Sequence, residues 1–109
     1  MSEPMTAQQV LDAMPGAFLP EKAGDASARF QVELEGEGGG VWTIEVKDRA
    51  CHVLAGPAED PGVTIRMDAA DFVDFSTGKL DPIRAFMGGK FKINGNVGLV
   101  LQMMQWFER

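Results

Sequence analysis

The sequence predicts a single α+β domain spanning residues 1–109, with a five-stranded, mostly antiparallel sheet covered on one face by short helices. Three observations carry that prediction. From residue 29 to residue 67 apolar and polar residues alternate with a period of two, which marks strands with one covered and one wet face. Glycine-rich and Asp-Arg junctions separate these runs at hairpin spacing. The second half then shifts to short helical segments with apolar faces, which supply the cover. A chain of 109 residues suits one hydrophobic core.

The elements follow in order. Thr6 and Gln9 form a capping-box signature that opens a helix through Val10, Leu11 and Met14. Pro15-Gly16 is expected to end that helix or turn it into a second piece carrying Phe18 and Leu19. Residues 20–28 are small and polar and read as a loop. Phe30, Val32 and Leu34 alternate with Arg29, Gln31, Glu33 and Glu35 as the first strand. Gly36, Gly38, Gly39 and Gly40 connect it to Trp42, Ile44 and Val46, which alternate with Thr43, Glu45 and Lys47. Asp48-Arg49 turns tightly into a third strand over 50–55, and Val63, Ile65 and Met67 mark a fourth. Asp68 caps a helix bearing Phe72 and Phe75, which ends at Gly78. Asp81-Pro82 opens a shorter one bearing Ile83, Phe86 and Met87. Phe91 and Ile93 form the fifth strand, and Asn96 caps a last helix over 97–107.

That last helix is apolar over most of its circumference; only Gly98, Gln102 and Gln105 make a narrow weak stripe. A surface helix needs only a one-sided apolar band. Eleven residues at about 1.5 Å each are too short for a bilayer core of about 30 Å, so both sides of this helix must be covered some other way. A central core helix, a dimer contact and a wall around an apolar ligand all meet that need. The neighbouring Met103 and Met104 favour the ligand wall, because thioether side chains repack around varied shapes.

Composition narrows the function. A net charge of −6 argues against nucleic-acid binding and allows at most transient contact with an anionic membrane. One Cys excludes an internal disulfide and a multi-cysteine metal site, and it points to a reducing compartment. The acidic start lacks a signal-peptide pattern, and Phe107-Glu108-Arg109 is neither a peroxisomal nor an endoplasmic-reticulum address, so a cytoplasmic location is the expectation. Cys51 and His52 are strand neighbours and leave opposite faces, so they cannot form a nucleophile–base dyad. Asp68, Asp71 and Asp74 lack the spacing of a calcium loop, and Gly88-Gly89-Lys90 lacks the rest of a phosphate loop. No catalytic residue, metal or cofactor is expected.

The run Gly78-Lys79-Leu80-Asp81-Pro82, then residues 85–96 reading Ala-Phe-Met-Gly-Gly-Lys-Phe-Lys-Ile-Asn-Gly-Asn, then Gly98-Leu99, resembles the sterol carrier protein type 2 domain family. Trp42-Thr43-Ile44-Glu45-Val46-Lys47, Thr64-Ile65-Arg66-Met67 and Asp71-Phe72 match its pattern in the same order. The resemblance covers about residues 28–107. It implies a hydrophobic tunnel between sheet and helices, and binding of fatty acids, fatty acyl-CoA, sterols or phospholipids without covalent chemistry. Carried onto this chain, it implies a lining of Trp42 and Ile44 from the sheet and Phe72, Phe75, Ile83, Phe86 and Met87 from the middle helices. Leu99, Val100, Met103 and Met104 join from the last helix. The implied function is non-catalytic binding, and by extension intracellular transport, of an apolar lipid. The alternative is a homodimeric accessory domain with a packed core and no lipid. The ends depart from the family: membrane-active members carry a basic amphipathic N-terminal helix where this chain is short and acidic, and the chain stops soon after the last helix.

Overall fold

In the computed structural model, which describes residues 6–77 and 79–107 except the side chains of Pro82 and Phe86, the alternating runs become one five-stranded sheet. Its strands are β1 (Ala28–Glu35), β2 (Gly40–Lys47), β3 (Ala50–Ala55), β4 (Val63–Asp68) and β5 (Phe91–Gly95). They lie in the order β3-β2-β1-β4-β5, antiparallel except for the parallel pair of β1 and β4. Register brings the apolar set onto one face: Phe30 opposes Ile44 and Val63, Val32 opposes Trp42 and Ile65, and Met67 opposes Leu34 and Phe91. All of these are buried. A one-residue slip would turn the whole set to solvent, so the pattern fixes the register.

The polar face is not bare. To reach β4 from the edge strand β3, the chain must pass back across β2 and β1, and residues 56–62 do so over the polar side. Thr43 Oγ1 donates to the Gly56 carbonyl (2.9 Å), Gln31 Oε1 accepts from the Ala58 N–H (3.1 Å), and Arg29 Nη1 donates to the Glu59 carbonyl (3.0 Å). This connection explains why Thr43, which the alternation assigns to the wet face, is buried. Beside it, Arg66 pairs with Glu33 (2.7 Å) and Arg29 with Glu45 (2.8 Å). The Arg66 guanidinium, aided by Gln31, holds the Glu33 carboxyl below the usual carboxylate range, and Arg29 does the same for Glu45.

Turns use the residues their backbones require. Asp48 and Arg49 both adopt positive φ, as the two-residue hairpin between β2 and β3 demands. At Gly39 a Cβ would collide with the Leu34 carbonyl, so the first hairpin needs glycine there.

The helices cover the apolar face. α1 (Ala7–Ala17) starts at Thr6 with the expected capping box. Contrary to expectation, it runs through Pro15. Val10, Met14 and Ala17 lie on one stripe that continues past the proline and lines the molecule's interior, and this packing outweighs the lost backbone bond. Residues 20–28 are likewise not all loop, because Pro20 starts the short helix α2 (Pro20–Ala23). α3 (Ala69–Ser76) is capped by Asp68, whose side chain accepts from the Ala70 N–H at 2.9 Å. α4 (Pro82–Met87) follows, with the Asp81 carboxylate accepting from the Ile83 N–H at 3.3 Å. α5 (Val97–Gln105) is capped by Asn96. Beyond α5, the Leu19 N–H donates to the Trp106 carbonyl (2.6 Å), Phe18 forms an antiparallel bridge with Phe107, and their rings lie 5.5 Å apart. The end of α1 and the end of α5 are thereby clasped together.

Candidate functional site

Sheet and helices do not close completely. Between them lies a cavity of about 240 Å³. Its floor is the sheet, from the central strands (Val32, Ile44, Ile65 and Met67) out to Phe91 on the edge strand β5. Its walls come from α1 (Val10, Ala13, Met14, Ala17), from α3 and its C-cap (Phe72, Phe75, Ser76, Thr77), and from α5 with its tail (Val100, Met103, Met104, Phe107). No ionisable side chain is among these lining residues. The hydroxyls of Ser76 and Thr77, adjacent at the end of α3, are the polar side-chain groups, and Thr77 Oγ1 already donates to the Val73 carbonyl at 2.9 Å. Phe75 and Phe91 meet edge to face across the wall, 6.2 Å between centroids.

Such a space can take apolar groups and cannot pair a buried charge. An apolar cavity of about 150 Å³ is enough to stay dry and bind benzene. The present one, at about 240 Å³, lies just below the range of about 300–1,000 Å³ usual for small-molecule pockets.

Of the side chains implied by sequence, Ile44, Phe72, Phe75, Val100, Met103 and Met104 come together here. Trp42 is buried in the core outside the cavity. Leu99 faces elsewhere: the inward stripe of α5 is 100, 103, 104 and 107, and Leu99 is turned about 100° from Val100, towards Gly62 and a shallow polar depression beside Arg29 and Glu45. Ile83 and Met87 are solvent-exposed, because among the described side chains of their short helix it is Ala85 that turns inward. The Phe86 side chain lies outside the described residues.

Sequence reasoning missed the contribution of α1. Its signal is the spacing of Val10, Ala13, Met14 and Ala17, a helical stripe that runs on past Pro15. Val32, Ile65, Met67 and Phe91 were legible as the covered face of the sheet; what singled them out as floor was cross-strand register. Cys51 is buried and His52 exposed, on opposite faces of β3 as expected. Among the described residues no group of His, Cys, Asp or Glu side chains is arranged to hold a metal, and no helix is long and apolar enough to cross a membrane.

Known proteins share this architecture. The palmitated sterol carrier protein 2-like 2 of Aedes aegypti superposes with a TM-score of 0.73 at 22% identity, covering 91% of each chain. The sec-alkylsulfatase Pisa1 from Pseudomonas sp. superposes at 0.85 with 13% identity, over 96% of this chain but 17% of that enzyme. At those identities the likeness is one of fold. In sequence, hydroxysteroid dehydrogenase-like protein 2 is 40% identical over 77 residues in Bos taurus and 42% identical over 77 residues in Rattus norvegicus. Each match takes in 70% of this chain, which spans only 18% and 15% of those two proteins. The family model described as the SCP-2 sterol transfer family matches residues 8–108, nearly the whole length, and this chain belongs to that family.

Proposed function

We propose that this chain is a lipid-binding module that takes the apolar part of a fatty acid, fatty acyl-CoA or sterol into the cavity between its sheet and α1, α3 and α5, with no covalent step. The observation that carries the reading is a cavity of about 240 Å³ whose lining holds no ionisable group. The ligand's polar end stays at the Ser76–Thr77 side, since a carboxylate drawn inside would lose its solvation without a cationic partner. Because the resting volume is small for a long chain, binding parts the helices, and the methionines on α5 and α1 adapt to the chain's shape.

Membership of a family described by sterol transfer supports an apolar lipid ligand, and the palmitated state of the Aedes aegypti relative supports a fatty-acyl one. In the dehydrogenase-like relatives and in the alkylsulfatase, the matched region is a minor part of a longer chain. That favours an accessory role, holding an apolar molecule for a partner that does the chemistry, in the same protein or another.

Burial of methylenes at about 0.8 kcal/mol each exceeds the roughly 8 kcal/mol of micromolar affinity before ordering losses are subtracted. Titration with a fluorescent long-chain fatty acid, competed by unlabelled fatty acid, acyl-CoA and sterol in separate runs, tests the proposal. The expected result is saturable, competable binding near micromolar Kd. A signal that no competitor displaces would defeat it.

A further inference from the structure

Charge and apolar exposure coincide at one place outside the cavity. Residues 79–92 hold four bases (Lys79, Arg84, Lys90 and Lys92) against one acid, Asp81, a local charge of +3. The remainder of the chain has six bases against fifteen acids. All four bases are exposed. Asp81 is drawn towards its own segment, capping the Ile83 N–H and lying 3.8 Å from Arg84. Within this basic stretch stand the two most exposed large apolar side chains among the described residues, Ile83 (67% exposed) and Met87 (82% exposed). They are one turn apart on α4, opposite the buried Ala85.

The segment is held firmly. The N–H groups of Lys79 and Leu80 donate to the Asp74 carbonyl at 2.8 and 3.1 Å, and the Lys90 N–H donates to the Ala85 carbonyl at 2.8 Å. An apolar pair is thus presented on a segment whose exposed charges, Lys79, Arg84 and Lys90 against Asp81, are mostly cationic, while Lys92 leaves β5 by the face opposite the buried Phe91. A second copy of this chain is a poor occupant, because an isologous contact would set the cations Lys79, Arg84 and Lys90 against their own copies. An anionic lipid surface complements both features: headgroups attract the bases, and the acyl boundary accepts Ile83 and Met87. The net charge of −6 does not cancel this, since a surface potential decays over about 10 Å in 0.1 M salt.

We propose that α4, with Lys79, Arg84 and Lys90, docks this chain on anionic membranes, Ile83 and Met87 entering the interface. Thr77 before α4 and Phe91 after it both line the cavity, so docking sets the cavity wall beside the bilayer. Only that consequence rests on the lipid-binding reading; the docking does not.

Sedimentation of the full chain with phosphatidylcholine vesicles, with and without phosphatidylserine, tests the proposal. Binding is expected only with phosphatidylserine and should weaken as salt rises. Lys79→Gln and Lys90→Gln should each weaken it about fivefold. The double change Ile83→Ser with Met87→Ser should weaken it roughly tenfold or more. Leu54→Ser, exposed on β3 at the opposite edge of the sheet, should leave it unchanged. Fatty-acid binding without vesicles is expected to persist in all four variants, which separates failure of docking from failure of the cavity. Equal binding to both vesicle types, or α4 variants that bind like wild type, would overturn the proposal. So would a wild-type dimer, indifferent to vesicles, that the Ile83 and Met87 changes convert to a monomer.

Discussion

Cys51 is held under the helical cover on β3, and burial pushes its thiol up to about 11. The thiolate is the reactive form, so burial and a raised pKa together make this a packing residue rather than a nucleophile. His52, its neighbour, leaves by the other face. Two outcomes follow for Cys51→Ala. Lipid binding should stay within about threefold of wild type, since neither side chain lines the cavity. The alkaline limb of stability should also change. A thiol that titrates at about 9 when unfolded and about 11 when folded keeps its proton longer in the native state. Its contribution is therefore complete below about pH 9 and is lost as pH rises towards about 11. Melting temperatures measured over that window should fall less steeply in Cys51→Ala than in wild type. Parallel curves would show that the thiol titrates normally.

At the scale of elements, helix α5 decides whether the interior works as a space or as a core. Val100, Met103 and Met104 all face the cavity, with Met103 buried and Met104 half-buried. In a close-packed core, Met→Trp costs about 1–3 kcal/mol through overpacking, which lowers the melting temperature by several degrees in a domain of this size. Against a cavity of about 240 Å³ the ring has somewhere to go. Met103→Trp and Met104→Trp should therefore melt at or above the wild-type temperature while fatty-acid affinity falls roughly tenfold. Both variants melting well below wild type with unchanged affinity would argue for a filled interior. The elements themselves were highly legible, because strict alternation and side-chain caps are local signals: Thr6, Asp68 and Asn96 cap the helices they announce. What escaped were consequences of tertiary packing. Pro15 stays helical because the residues on either side of it have a wall to cover, and Thr43 is buried because a connection between distant strands passes over it. The cavity was legible only as a set of apolar side chains. Whether such a set closes or stays hollow depends on how far apart three helices are held, and no local signal records that distance.

For the whole molecule, an unfilled cavity means that its lining lacks van der Waals partners on one side. A chain of methylenes supplies those partners to the native state and finds no equivalent site in the unfolded one. Stabilisation then follows mass action, about 2.7 kcal/mol at a ligand concentration one hundred times Kd. With about 4–8 °C per kcal/mol in small domains, saturating long-chain fatty acid should raise the melting temperature by roughly 10 °C or more. Surfactant-like binding to the unfolded chain has the opposite sign, so the direction alone discriminates. The increase should grow with the logarithm of ligand concentration above saturation and shrink in Met104→Trp, where the ring occupies part of the same space. It should survive in the Ile83→Ser, Met87→Ser double variant, whose changed side chains lie outside the cavity. A melting temperature that fatty acid leaves unmoved or lowers, in a protein shown by mass spectrometry to carry no lipid from its host, would mean that the space between sheet and helices is not where a ligand goes.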